Sequence, residues 1–222
     1  MENNMTNTNK VFIMGEICTD LTFSHEMYGE NFYEFMVSVK RLSGQDDVIP
    51  VTASERLLGK DKLKKGDKVA INGQFRSYNK LIDNKSKLML TVFVKDFMPY
   101  DESFQNPNEA VLTGYVCKPP VYRTTPFNRE ICDVLLAINR SYKKSDYIPC
   151  IAWGRNARFS QDLEVGRRIT VSGRIQSREY TKKLGETSET RVAYELSVSK
   201  IVCESDDASE EIAQTEIEEQ AQ

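Results

Sequence analysis

The sequence has few of the residues that most chemistry needs. It contains one histidine, His25, and five cysteines with no C-x-x-C pair, so no zinc-type ligand cluster can be drawn from it. Cys18, Cys117, Cys132 and Cys150 stand in apolar runs, as ordinary buried thiols do. There is no nucleophile–base pair and no phosphate-cradling glycine loop, and Asp133, Asp146 and Asp162 are not grouped as metal-binding carboxylates would be. The expectation is a protein that is not an enzyme and uses no metal or cofactor. No apolar run approaches the roughly eighteen residues of a membrane span. The opening residues 1–9 are polar and lack the apolar core of a signal peptide. A cytoplasmic protein with a disordered lead-in is expected.

The net charge of −3 over 222 residues conceals a division. Residues 204–222 hold eight acids and no base. Residues 109–203 hold 16 Lys and Arg against 10 Asp and Glu, while residues 1–108 hold 14 against 15. The second half is basic and the acid is gathered in a tail, which suggests a polyanion as partner of the second half.

The chain repeats itself. A shift of 99 residues aligns Gly15 with Gly114, Cys18 with Cys117, Arg41 with Arg140, Ile49-Pro50 with Ile148-Pro149, Ala53 with Ala152 and Arg56 with Arg155. After one inserted residue, a shift of 100 aligns Leu63 with Leu163, Gly66 with Gly166, Gly73 with Gly173 and Ser77 with Ser177. One domain is therefore used twice. Each copy reads as five strands, near 10–18, 31–42, 48–54, 67–78 and 87–97, then 110–117, 130–142, 147–153, 167–180 and 191–202. Segments 55–64 and 154–164 have the length for two or three helical turns. Gly66 and Gly166 suit turns that need a positive φ. Gly73 and Gly173, inside strands, predict bulges, and Pro50 and Pro149 fit only where a ladder is interrupted. Three strands, a short helix and two strands predict an all-β protein of two tandem OB-fold barrels, five-stranded Greek keys. The divisions are a barrel over 10–98, a linker over 99–108, a barrel over 109–203 and a disordered acidic tail over 204–222.

Strand parity locates a surface in the second copy. Tyr147, Ile151 and Trp153, the lone tryptophan, share one face of the third strand, with Arg155 just beyond. Arg174, Gln176, Arg178 and Tyr180 share one face of the fourth. The second strand ends Arg140-Ser141-Tyr142-Lys143-Lys144, and the hairpin after the fourth adds Lys182 and Lys183. Such a row can be a solvated strand face, and an aromatic pair can pack under a neighbour. Four aromatics, each beside a cation, fit single-stranded nucleic acid better, because cations follow phosphates while aromatic faces stack bases without reading them.

Residues 111–202 resemble the bacterial single-stranded DNA-binding protein family. The resemblance rests on Leu112-Thr113-Gly114, Leu136-Ala137-Ile138-Asn139-Arg140, Ile148 to Arg155, and Val171 to Arg178. It implies base stacking by Tyr142, Tyr147, Trp153 and Tyr180, and the cations read beside them, Arg140, Lys143, Lys144, Arg155, Arg174, Arg178, Lys182 and Lys183, are expected on the phosphates. It also implies coating of exposed single strands in replication, recombination or repair, and a nucleoid-associated location. Two-domain members form dimers, so a homodimer presenting four OB folds is expected. At the same positions the first copy has Ser43, Val48, Ser54 and Lys80, which predicts a weak binder serving assembly. The alternative there is a repositioned site using Phe75, Tyr78 and Lys80. Phe23, Tyr28, Phe32 and Tyr33 suggest a protein-facing patch. The tail ends without the terminal hydrophobic residue through which this family meets replication and repair proteins; the readings left for it are competition with DNA for the basic face and contact with such partners through Ile212 and Ile217. Two rival readings remain: a protein-interaction or replication-restart module, and an RNA binder, since stacking alone does not separate DNA from RNA.

Overall fold

The computed structural model describes residues 8–41, 43–59, 63–82, 84–104, 106–184 and 187–203, with backbone alone at 182–184 and 187. The acidic tail lies outside the described residues, as do residues 1–7. Barrel 1 comprises β1 (Asn9–Ile17), β2 (Thr22–Met27), β3 (Glu30–Lys40), β4 (Asp46–Ser54), α1 (Glu55–Leu58), β5 (Lys68–Ile82) and β6 (Lys85–Met98). Barrel 2 repeats the order as β7 (Asn108–Val116), β8 (Val121–Thr124), β9 (Glu130–Arg140), β10 (Lys144–Trp153), α2 (Arg155–Ser160), β11 (Arg168–Leu184) and β12 (Thr187–Cys203).

Alternation builds the core. In β3 the inward residues Phe35, Val37 and Val39 are buried, and in β9 so are Val134, Leu136 and Ile138. Each barrel closes through five strands, β1-β3-β4-β6-β5-β1 and β7-β9-β10-β12-β11-β7, with one parallel pairing in each, β4 on β6 and β10 on β12. This is the OB fold. The short strands β2 and β8 add a hairpin edge to β3 and β9. They escape a parity reading because both are mostly exposed.

Both expected bulges are present, as register shifts at Asn72/Gly73 and Ser172/Gly173. A Cβ on Gly173 would lie 2.1 Å from the Ser197 carbonyl oxygen, so only glycine lets β12 approach there. Gly66 and Gly166 have φ of +93° and +91°. Pro50 and Pro149 immediately precede the points where β4 meets β6 at Val51 and β10 meets β12 at Cys150, so the missing N–H interrupts no pairing on that edge.

Three expectations change. The helices are shorter, at four and six residues, because each is a docked segment of under two turns that buries Leu58 or Ala157. The β5–β6 and β11–β12 hairpins run longer, pairing out to Ile82↔Lys85 and Leu184↔Thr187, as two-stranded arms whose exposed residues lack a core periodicity. Asn9 belongs to β1 rather than to the lead-in. It is buried, its Nδ2 donates to the Phe75 carbonyl and its Oδ1 accepts from the Phe75 N–H, both at 2.8 Å.

The barrels share one continuous sheet. β1 pairs antiparallel with β7 from Asn9↔Leu112 to Ile13↔Asn108, centred on Val11↔Ala110. Those two residues are 99 apart, the repeat offset, so equivalent residues meet and the barrels are related by a local twofold axis. The segment before β7 docks on barrel 1, with Phe104 on Phe12 (ring centroids 4.9 Å) and Glu102 ion-paired to Lys68.

Candidate nucleic-acid interface

The twofold makes a polar seam. The Ser177 N–H donates to Asp47 Oδ1 (2.9 Å) and the Val48 N–H to Ser177 Oγ (3.1 Å). Reciprocally, the Ser77 N–H donates to Asp146 Oδ1 (2.8 Å) and the Tyr147 N–H to Ser77 Oγ (2.7 Å). Asp47 and Asp146 are fully buried. The two halves differ in their cations. Asp47 also accepts from Arg41 Nε (2.6 Å) and Arg174 Nη1 (2.8 Å). Asp146 Oδ2 has no hydrogen-bond partner among the described residues, and Arg140 Nε stands 3.5 Å away. Burial accordingly pushes the Asp146 carboxyl above its ordinary value, while the Ser77 N–H, Arg140 and Arg76 pull it down.

From this seam an open groove of about 900 Å³ crosses barrel 2. Trp153, Arg174, Gln176, Arg178 and Tyr194 line it on one side, and barrel 1 contributes Arg41, Gln45 and Val48. The outward row of β11 is held by a chain of bonds. Arg174 Nη2 donates to Gln176 Oε1 (3.2 Å), Gln176 Nε2 to Glu195 Oε1 (2.7 Å), and Arg178 Nε to the same oxygen (3.3 Å). The Arg178 guanidinium lies 5.9 Å from the Tyr180 ring centre. Trp153 is 37% exposed, and its Nε1–H donates to Ser197 Oγ (3.2 Å), which fixes the indole at the end of β10. A second opening, lined by Tyr122, Arg129 and Gly154, reaches the same indole from the β8–β9 side.

The structure thus gathers Trp153, Arg174 and Arg178 in one groove, with Tyr180 next along β11. Arg155 is exposed at the start of α2. Tyr142 and Tyr147 do not line this groove: Tyr142 stands on the β9–β10 turn and Tyr147 on the part of β10 bonded to Ser77 of barrel 1. Tyr142 is fully displayed at a tight turn in which it and Lys143 have φ of +62° and +54°, a left-handed pair that non-glycine residues adopt at a cost. Lys144, beside them, is exposed. Arg140 faces the buried Asp146, so part of its charge is already balanced. The side chains of Lys182 and Lys183 lie outside the described residues.

Residue-by-residue reading kept Arg41 as a cation of the first copy without bringing it to this groove, and missed Gln45 and Arg129, because they come from another barrel or from a hairpin with no periodic signal. The Asp47/Asp146 repeat match was a usable signal for the seam, since a carboxylate kept in both copies beside the core is unlike a solvated charge. In barrel 1, Phe75 is fully buried in the core and does not belong to a surface site, which removes it from the alternative site drawn there. Phe32 is also buried, stacked on His25, while Phe23 and Tyr28 are exposed.

Fold and groove define a tandem OB-fold protein with an open face of aromatics and arginines. Comparison with known proteins is more specific. The single-strand binding protein family matches residues 107–203. Single-stranded DNA-binding protein 1 of Staphylococcus aureus (strain COL) is 34% identical over 105 residues, 44% of this chain and 58% of that protein. Single-stranded DNA-binding protein B of Bacillus subtilis (strain 168) is 34% identical over 85 residues, 35% of this chain and 75% of that protein. The wild-type single-stranded DNA binding protein from Thermus aquaticus has the same fold, with a TM-score of 0.69 over 89% of this chain and 93% of that chain at 18% identity. The chain belongs to the single-strand binding protein family, whose members bind rather than catalyse.

Proposed function

We propose that this chain binds single-stranded DNA without strong sequence preference, through the groove of barrel 2. Trp153 carries the reading. It is the lone tryptophan, it is open to solvent from two grooves, and Ser197 holds it among Arg174, Arg178 and Arg129. A flat, fixed indole beside arginines provides what a flexible strand needs: a face for a base and charges for the phosphates on either side of it. Tyr180 extends the stacking row and Arg155 adds a cation, and Lys182 and Lys183, which follow Tyr180 in sequence, are assigned to the phosphates as well. Tyr142, with Lys143 and Lys144, meets the strand at the far end of β10. Duplex is a poor fit, since its bases are already stacked.

The biological role that follows is protection of exposed strands in replication, recombination or repair. Two chains would pair as a homodimer presenting four barrels, a state that light scattering would report as twice 25.4 kDa. The acidic tail is the segment we assign to replication or repair partners. The test of the groove is Trp153→Ala. Stacking on an aromatic contributes roughly 1–3 kcal/mol per base, so affinity for oligo-dT should fall about five- to 150-fold with the fold intact. An unchanged affinity would remove the groove from the binding surface.

A further inference from the structure

Barrel 1 looks stripped of its binding face when it is compared position by position, because Ser54 stands where barrel 2 has Trp153. The strand register shows that the aromatic has changed strands instead. The bulge glycines set the correspondence: Gln74 pairs with Phe93 in barrel 1 as Arg174 pairs with Ser197 in barrel 2. Phe93 therefore occupies the place of Ser197, and Ser54 the place of Trp153. The two positions are neighbours, since Trp153 Nε1 reaches Ser197 Oγ. One aromatic and one hydroxyl are present at this spot in both barrels, with their strands exchanged.

A cation accompanies the moved ring. The Arg76 guanidinium carbon lies 3.8 Å from the Phe93 ring centre, and Arg76 Nη2 donates to Gln74 Oε1 at 2.7 Å. A guanidinium stacked on a ring and hydrogen-bonded to a neutral amide still presents charge to an anion, although burial and the nearby Arg140 pull its pKa down and the Asp146 carboxylate balances part of that charge. Tyr78, two residues along β5, is exposed and donates its hydroxyl to Glu34 Oε1 at 3.1 Å.

The seam supplies a further aromatic. Val48 lines the barrel 2 groove beside Gln176 and Arg178, where its N–H meets Ser177 Oγ. Its twofold equivalent is Tyr147, whose N–H meets Ser77 Oγ on β5 between Arg76 and Tyr78, and whose side chain is 45% exposed. Tyr147 thus stands toward barrel 1 as Val48 stands toward barrel 2. We infer that barrel 1 carries a second single-strand subsite, built on Phe93 and Arg76 and completed across the seam by Tyr147 of barrel 2. It extends the proposed single-strand binding by barrel 2 and rests on that reading.

The test uses the full chain, with Trp153 emission as the reporter of barrel 2. Oligo-dT of about 10 nucleotides, enough for one OB fold, is compared with oligo-dT of about 35. Phe93→Leu and Tyr147→Ala are each expected to leave short-strand affinity and Trp153 quenching unchanged, and to weaken the long strand about ten-fold. Equal long-strand affinity in wild type and both variants, with unchanged melting temperatures, overturns the second subsite alone. So does a Tyr147→Ala variant that loses the short strand, because Tyr147 would then serve barrel 2. A wild-type chain that neither quenches nor binds either strand overturns the reading of barrel 2 as well.

Discussion

Asp47→Ala probes how the two barrels are held together. The Asp47 carboxylate is fully buried and accepts from the Ser177 N–H, from Arg174 Nη1 and from Arg41 through two of its nitrogens. Hydrogen bonds to a charged group contribute about 1.5–3 kcal/mol each and do not add. Removing one partner of a buried ion pair costs about 3–5 kcal/mol, chiefly because the remaining charge is left unpaired. Here the remaining charges are arginines whose side chains are 19% and 36% exposed, so water recovers part of the loss. The expected loss is about 2–4 kcal/mol. Asp47→Asn keeps an acceptor for Ser177 but not the charge, and should fall between variant and wild type. The assay is urea unfolding followed by Trp153 emission, which reports barrel 2, and by circular dichroism, which reports both barrels. Asp47 is a residue of barrel 1, so a lower midpoint in the Trp153 signal measures coupling across the seam. A loss below about 1 kcal/mol, the range of an exposed ion pair, would refute the seam as a structural lock.

Gly173→Ala should cost about 1–3 kcal/mol in the same unfolding experiment, because the added methyl meets the Ser197 backbone and not a side chain that can turn away. Asp146 gives a pH signature. Its carboxyl holds a proton more tightly folded than unfolded, so its contribution to stability is present at low pH and lost as pH rises from 3.8 through the folded value. Asp146→Asn should therefore gain melting temperature relative to wild type as pH is raised from about 4 to 7. A difference that does not change with pH would contradict the buried, under-paired carboxylate.

Much of this was legible in the sequence. The repeat fixed the two barrels, and Gly73, Gly173, Gly66 and Gly166 marked their bulges and turns, since glycine is demanded there by contact distance or by φ. Strand parity put Arg174, Gln176, Arg178 and Tyr180 on one face of β11. Parity put Tyr147 and Trp153 on one face of one strand but does not tell which barrel that face looks at: Trp153 ends β10 in the groove, while the Tyr147 N–H meets Ser77 of barrel 1. Position-by-position comparison also made barrel 1 look empty, because it follows a residue along one strand and does not see Phe93 replace it from the next. The exposed arms and the short strands β2 and β8 carry no core periodicity and left no signal. The seam needed the twofold axis, which is a property of how the copies pair and not of either copy.

The measurement closest to the central claim is a titration of the full chain with oligo-dT, following Trp153 emission at several salt concentrations, with duplex and oligo-U as controls. The account predicts strong quenching by oligo-dT and little response to duplex. It also predicts a linear fall of log K with log salt, at about 0.7 per phosphate neutralised on a single strand. Undisturbed emission, or a binding constant that salt does not alter, would contradict it.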